Sequence, residues 1–164
     1  MQLYLLRHGI AELGKPGRPD SDRALIPEGR SKLRAVMRMA KTAGVEPKRI
    51  VTSPYKRALE TAQIAAGVLG YKQQLLLSRA LLPDSHPQAA WEEVRLHKDA
   101  GQLMLVGHEP LFSSLTAHLL NCPALQVDFK KGALVRIDVE QFGVQPRGVL
   151  RWMLTSRLAV PAPK

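Results

Sequence analysis

A single cysteine, Cys122, among 164 residues leaves no partner for an intramolecular disulfide, so nothing ties the chain to an oxidising compartment. Long apolar runs are missing too. None approaches the ~20 residues that span a bilayer, and Arg7 and His8 interrupt the N-terminal apolar stretch before it reaches the length of a secretion signal. A soluble cytoplasmic protein with no membrane partner is the expectation. Aromatic residues make up only 5% of the sequence and offer few platforms for stacking nucleic-acid bases, which disfavours nucleic acid as a partner. Acidic residues are in deficit: 14 Asp and Glu stand against 24 Lys and Arg, a formal net charge of +10. That excess attracts anions over a long range without distinguishing phosphoesters, phosphoproteins, nucleic acid and membrane surfaces. Internal repeats, low-complexity tracts and linkers are absent. With 45% hydrophobic residues, the chain fits one domain with a sizeable core, expected over 1–158 with a flexible tail at 159–164.

What is present alternates strand and helix. Gln2 to Leu6 reads as a short buried strand, followed by a long loop from Glu12 to Pro27 crowded with Gly, Pro, Asp and Ser. Glu28 to Ala43 has the spacing of an amphipathic helix on Leu33, Val36, Met37 and Ala40, with Gly44 just past its end. Arg49 to Thr52 is a second strand. Ser53 as N-cap and Pro54 as first helical residue then open a helix that runs to Gly70. Further strands are expected at Gln73 to Leu77 and Gln102 to Val106, and helices at Pro87 to Lys98 and Pro110 to Leu120. Ala133 to Val139 and Val149 to Leu154 form a closing strand pair around a turn containing Gly143 and Pro146. The alternation predicts an α/β fold: a three-layer α/β/α sandwich, its sheet mostly parallel, with helices on both faces and an antiparallel closing pair. Such sheets bind ligands outside the carboxyl ends of their strands.

Three segments fall at that end. They are Arg7-His8-Gly9, the run Ser53-Pro54-Tyr55-Lys56-Arg57-Ala58-Leu59-Glu60-Thr61, and Val106-Gly107-His108-Glu109-Pro110. A neutral imidazole can attack phosphorus, and the charge on a phosphoryl group must be screened before any nucleophile approaches it. The planar guanidinium fork suits that task. Arg7 flanks His8, Arg57 lies in the first turn of a helix whose N-terminus favours anions, and His108 sits just before another helix, where it could stabilise phosphoryl oxygens or donate a proton. Each residue has a bland reading on its own: His8 and His108 as structural histidines, Arg57 as a solvated helix arginine, Arg23 as a loop charge. Their joint placement at one sheet end favours a phosphate pocket.

These residues, together with Thr61, resemble the histidine phosphatase superfamily, the phosphoglycerate-mutase-like clan, and most of all its short SixA-type phosphohistidine phosphatases. The likeness covers most of the chain, including the closing hairpin near Leu150-Arg151-Trp152-Met153-Leu154. It implies a phosphatase in which His8 is the nucleophile, with Arg7, Arg57 and His108 around the phosphate. Arg23 joins them as a substrate-binding residue, because it precedes Ala24-Leu25-Ile26-Pro27-Glu28-Gly29 as a family arginine precedes Pro-Leu-Thr-x-x-Gly, although Ala24 and Ile26 depart from that pattern. Larger clan members carry an insertion with an acidic general acid. Here that region is only Leu81-Leu82-Pro83-Asp84-Ser85-His86, so Asp84 and His108 are the two candidates for the acid. A weak acid suits a leaving imidazole better than an alkoxide, which points to phosphohistidine on a protein. A small phosphorylated substrate, or a non-catalytic phosphate- or polyanion-binding module, are the competing readings.

Other motifs fail on chemistry. In Gly9-Ile10-Ala11-Glu12-Leu13-Gly14-Lys15-Pro16, a near miss to a nucleotide-binding loop, Pro16 supplies no hydroxyl for magnesium. Cys122 has Asp128 where a cysteine phosphatase needs arginine. A zinc site on His8 and His108 would be opposed by Arg7 and Arg57, so neither metal nor other cofactor is expected.

Overall fold

In the computed structural model, which describes residues 1–159, the strands are β1 (Gln2–Arg7), β2 (Arg49–Thr52), β3 (Leu76–Leu77), β4 (Gln102–Gly107), β5 (Leu134–Phe142) and β6 (Pro146–Leu154). The helices are α1 (Pro27–Thr42), α2 (Lys56–Leu69), α3 (Pro87–Leu96), α4 (Leu111–Leu119) and the single turn α5 (Ser156–Ala159). The tail expected at 159–164 lies, past Ala159, outside the described residues.

The strands form one six-stranded sheet in the order β3-β2-β4-β1-β5-β6. Successive strand residues face opposite sides, so β1 supplies Leu3 and Leu5 to one core and Tyr4 and Leu6 to the other. A strand buried on both faces reads as a continuous apolar run, and that is the sequence of β1. On one face α1 and α2 cover Tyr4, Leu6, Ile50 and Met104 with Leu33, Val36, Met37, Ala58, Ala62 and Ala65. On the other, α3 and α4 cover Leu3, Leu5, Leu103 and Leu105 with Trp91, Val94, Phe112 and Leu115. The Trp91 indole stacks on Phe142 at 5.9 Å and donates to the Gly143 carbonyl at 3.0 Å, which satisfies the polar end of the largest core side chain. Helix α2 ends at Gly70, whose φ of 77° gives the left-handed cap that a side chain would strain.

The three-layer arrangement agrees with the sequence expectation. β2 pairs in parallel with β3 and β4, β4 with β1, and the sheet is completed by antiparallel β5 and β6. Register places Arg7 opposite Gly107 and Thr52 opposite Val106, so β1, β2 and β4 end in one row.

Three local expectations change. Ser53 does not cap α2: its N–H still pairs with Val106 of β4 at 2.9 Å and its hydroxyl turns to His108, so the helix opens two residues later with Tyr55 at the N-cap. The strand expected at Gln73 to Leu77 pairs only at Leu76 and Leu77, because Gln73 and Gln74 are engaged by Arg49 and Tyr71 instead. Pro146 belongs to β6 rather than the turn, and as the first residue of an edge strand its missing N–H breaks no ladder.

Candidate active site

The row of strand ends brings the predicted residues together. His8 follows β1, with its N–H on the Gly107 carbonyl and its own carbonyl receiving the Gly132 N–H, each at 3.0 Å. His108 follows β4 one strand over, and the two imidazole centroids lie 5.1 Å apart. His8 is 6% exposed and His108 1%, so both rings are held inside the protein.

The His8 tautomer follows from its partner. Nδ1 lies 2.7 Å from the Gly9 carbonyl, and a carbonyl only accepts, so Nδ1 carries the proton and Nε2 the lone pair. Nε2 has no protein partner among the described residues. Thr61 fixes the next residue: its hydroxyl accepts the Gly9 N–H at 3.1 Å and donates to the Arg57 carbonyl at 2.7 Å, stitching the His8 turn to the first turn of α2.

The pKa of both histidines is pushed down to about 3, chiefly by burial. For His8 the positive fields of Arg57, Arg7 and Lys131 add to burial, against the Gly9 hydrogen bond. For His108 the opposing charges are that of a protonated His8, then those of Arg57 and Arg7, offset by Asp20. Both rings are therefore neutral at ordinary pH, the form a nucleophile requires. A folded-state pKa below the unfolded value of about 6.5 means the unfolded chain binds the extra protons. The stability held above pH ~6.5 is thus lost as pH falls toward the folded values. Urea unfolding from pH 7 to 4 is expected to show this loss, and His8→Ala to reduce its slope by one proton, about 1.4 kcal/mol per pH unit. An unchanged slope in the variant would place the titration elsewhere.

Arg7 and Arg57 act on both rings, and Arg23 joins them through Asp20. Arg57, 4% exposed, extends from the first turn of α2 with its guanidinium carbon 5.0 Å from the centre of the Tyr55 ring. Its terminal nitrogens donate to the Asp20 carbonyl at 2.7 Å and to Asp20 Oδ2 at 2.8 Å. Arg23 donates to Asp20 Oδ1 at 2.7 Å, so one carboxylate bridges both arginines. The Arg23 hydrogen bond, helped by Arg57, holds that carboxyl below the usual carboxylate range in spite of its partial desolvation. Arg7 donates through Nη1 to the Phe129 carbonyl.

Among the described residues, four buried side-chain nitrogens lack a hydrogen-bond partner: Arg7 Nε, Arg57 Nε, His108 Nδ1 and His118 Nε2. Three of the four belong to this cluster. Buried polar groups are nearly always paired, so their concentration here, with two arginine N–H donors among them, describes a site built to meet a polar ligand.

Asp84 is not brought into the set. It is exposed in the turn before α3 and makes no hydrogen bond or ion pair to the cluster. The Glu109 carboxylate is spent on Ser113, whose N–H it accepts at 2.9 Å. Sequence reasoning missed three supports: the Ser53 hydroxyl 2.8 Å from His108 Nε2, the Asp20 bridge and the Phe129 carbonyl. Asp20 had a signal, being an acid three residues before Arg23 in the long loop. The carbonyl had none.

The histidine phosphatase superfamily (branch 1) matches residues 3–81. An uncharacterized protein of Picosynechococcus is 35% identical over 111 residues, 67% of each chain. The phosphohistidine phosphatase SixA of Escherichia coli is 26% identical over 162 residues, 94% of each chain. A solved structure of the protein histidine phosphatase SixA complexed with tungstate superposes with a TM-score of 0.85 at 24% identity, covering 96% of this chain and 98% of the other, and shares its fold.

Proposed function

The chain belongs to the histidine phosphatase superfamily, and on that footing we propose that it removes the phosphoryl group from phosphohistidine on a protein through a phospho-His8 intermediate. The observation that carries this reading is the cluster of unpartnered donors around a neutral imidazole. His8 Nε2 attacks phosphorus while Arg7, Arg57 and Arg23 hold the phosphoryl oxygens, and His108 Nδ1–H, with Nε2 accepting from the Ser53 hydroxyl, adds a neutral donor. The new Nε2–P bond forms as the substrate P–N bond breaks. When the distal nitrogen of the departing ring carries a proton, that ring leaves as neutral imidazole and needs no acid. Water then attacks the phosphoryl group, His8 departs with its Nδ1 proton still on Gly9, and inorganic phosphate takes the proton that water gives up.

A phosphoester makes a different demand, since an alkoxide must be protonated as it leaves. His108 is a poor donor of that proton, because burial keeps it neutral. This favours the P–N bond over the phosphoester of a small molecule. The likeness to the E. coli phosphohistidine phosphatase supports the same choice.

The test is phosphate release, without added metal, from a phosphohistidine protein, an aryl phosphate and a phosphoserine peptide. Phosphohistidine is expected to give the highest kcat/KM and phosphoserine the lowest. A phosphoserine preference would reassign the protein to phosphoesters, and no turnover of any substrate would leave a phosphate-binding module.

A further inference from the structure

A cavity of about 660 Å³ opens beside Arg7, lined by Arg7, Ile10, Asp128, Lys131, Met153 and Arg157 among others. Its lining is tied to the residues that flank His8. Arg7 and Ile10 bracket His8 in the chain, and Lys131 precedes the Gly132 N–H that binds the His8 carbonyl at 3.0 Å. Arg7 thus belongs to both the cavity and the phosphoryl cluster, and the charge of Lys131 acts on His8, so the cavity adjoins the reaction centre.

The rim differs in kind from the phosphoryl site. There the guanidinium of Arg57 is buried and its terminal nitrogens are fixed by protein acceptors, an arrangement that orients a small anion. Lys130, Lys131 and Arg157 are exposed cations on flexible stems. Lys130 is already met by a carboxylate, that of Asp128 at 2.7 Å, whereas Lys131 and Arg157 have no ion pair among the described residues. Between the cations Ile10 and Met153 provide an apolar floor. Exposed cations beside aliphatic surface suit the acidic face of a macromolecule, where charge complementarity sets encounter and register more than it fixes one anion.

We propose that this cavity is a docking subsite for a carboxylate-bearing peptide segment that flanks the phosphorylated residue of a protein substrate. The proposal rests on the phosphatase reading above and adds which proteins are accepted: those with Asp or Glu close to the phosphohistidine. Lys131 and Arg157 are its specificity residues, and they touch the flanking segment rather than the reacting atoms.

Two phosphohistidine peptides test it, one with Asp and Glu flanking the phosphorylated residue and one with Ser and Gln in their place. Wild-type protein is expected to favour the acidic peptide by roughly tenfold in kcat/KM, mostly through KM, with the preference shrinking in higher salt. In K131S/R157S the ratio of the two peptides falls close to one. Using the ratio cancels any common effect of Lys131 on His8. In parallel, fluorescence anisotropy measures binding of a labelled acidic peptide without a phosphoryl group, expected to weaken by a similar factor in the double variant. An equal ratio in wild type and variant, or equal peptide binding by both, overturns the subsite. Absence of phosphohistidine turnover alone overturns the phosphatase reading, while the binding comparison still decides the cavity.

Discussion

His8→Ala is expected to lower phosphate release by ~10⁴-fold or more, because no other imidazole in the site can replace the proposed nucleophile. His108 is 5.1 Å away between ring centroids, and its Nε2 is committed to Ser53. The variant should still fold at neutral pH, since it removes a neutral ring whose side-chain hydrogen bond is to its own neighbour, Gly9. Circular dichroism and a urea midpoint measured beside activity separate loss of chemistry from loss of structure. Quenching wild type in alkali during turnover should trap a phosphorylated chain, and the same quench of His8→Ala should trap none. Undiminished turnover in the variant would remove His8 from the mechanism altogether.

The second large effect is on the fold. Gly29 lies in the first turn of α1, and a β-carbon there would come 2.3 Å from the Ile10 carbonyl oxygen and 2.8 Å from the Ile10 nitrogen. Both contacts are backbone, so no rotamer change relieves them. The same carbonyl also accepts the Ile26 N–H at 3.0 Å, which leaves the Ile10 strand-end segment little room to retreat. Gly29→Ala is expected to destabilise the protein by about 3 kcal/mol, at the upper end of ordinary overpacking, and to reduce activity in the fraction that remains folded. Chemical denaturation measures the first and specific activity of soluble protein the second. A midpoint within error of wild type would mean that α1 can move outward, and activity would then show whether His8 depends on its position.

The convergence of the candidate residues was legible where chemistry and strand ends coincide. His8, Arg57 and His108 were legible because each follows a strand whose apolar run can be read directly, and parallel strands that end in register must bring such residues together. Arg23 was legible only by likeness, since its loop has no periodicity to anchor it. The long loop is where inference from residues stopped short: the spacing of Asp20 and Arg23 hinted at one pair, and only folding brings Arg57 to the same carboxylate. Ser53 was misread for a related reason. Ser-Pro is a good helix start locally, but the serine N–H is claimed by β4 and its hydroxyl by His108, and neither partner is close in sequence. The shortness of β3 had the same origin, in side chains from Arg49 and Tyr71 that compete for the glutamine segment.

The bond between His8 Nδ1 and the Gly9 carbonyl has a chemical consequence of its own. A ring pinned through one nitrogen can be phosphorylated only on the other, so the proposed phospho-His8 intermediate is expected as a single positional isomer, with phosphorus on Nε2. Rotation of the ring to present Nδ1 would sacrifice that bond in a buried setting. The phosphorus-31 spectrum of the trapped chain should accordingly contain one phosphoramidate resonance, whichever isomer the substrate brings.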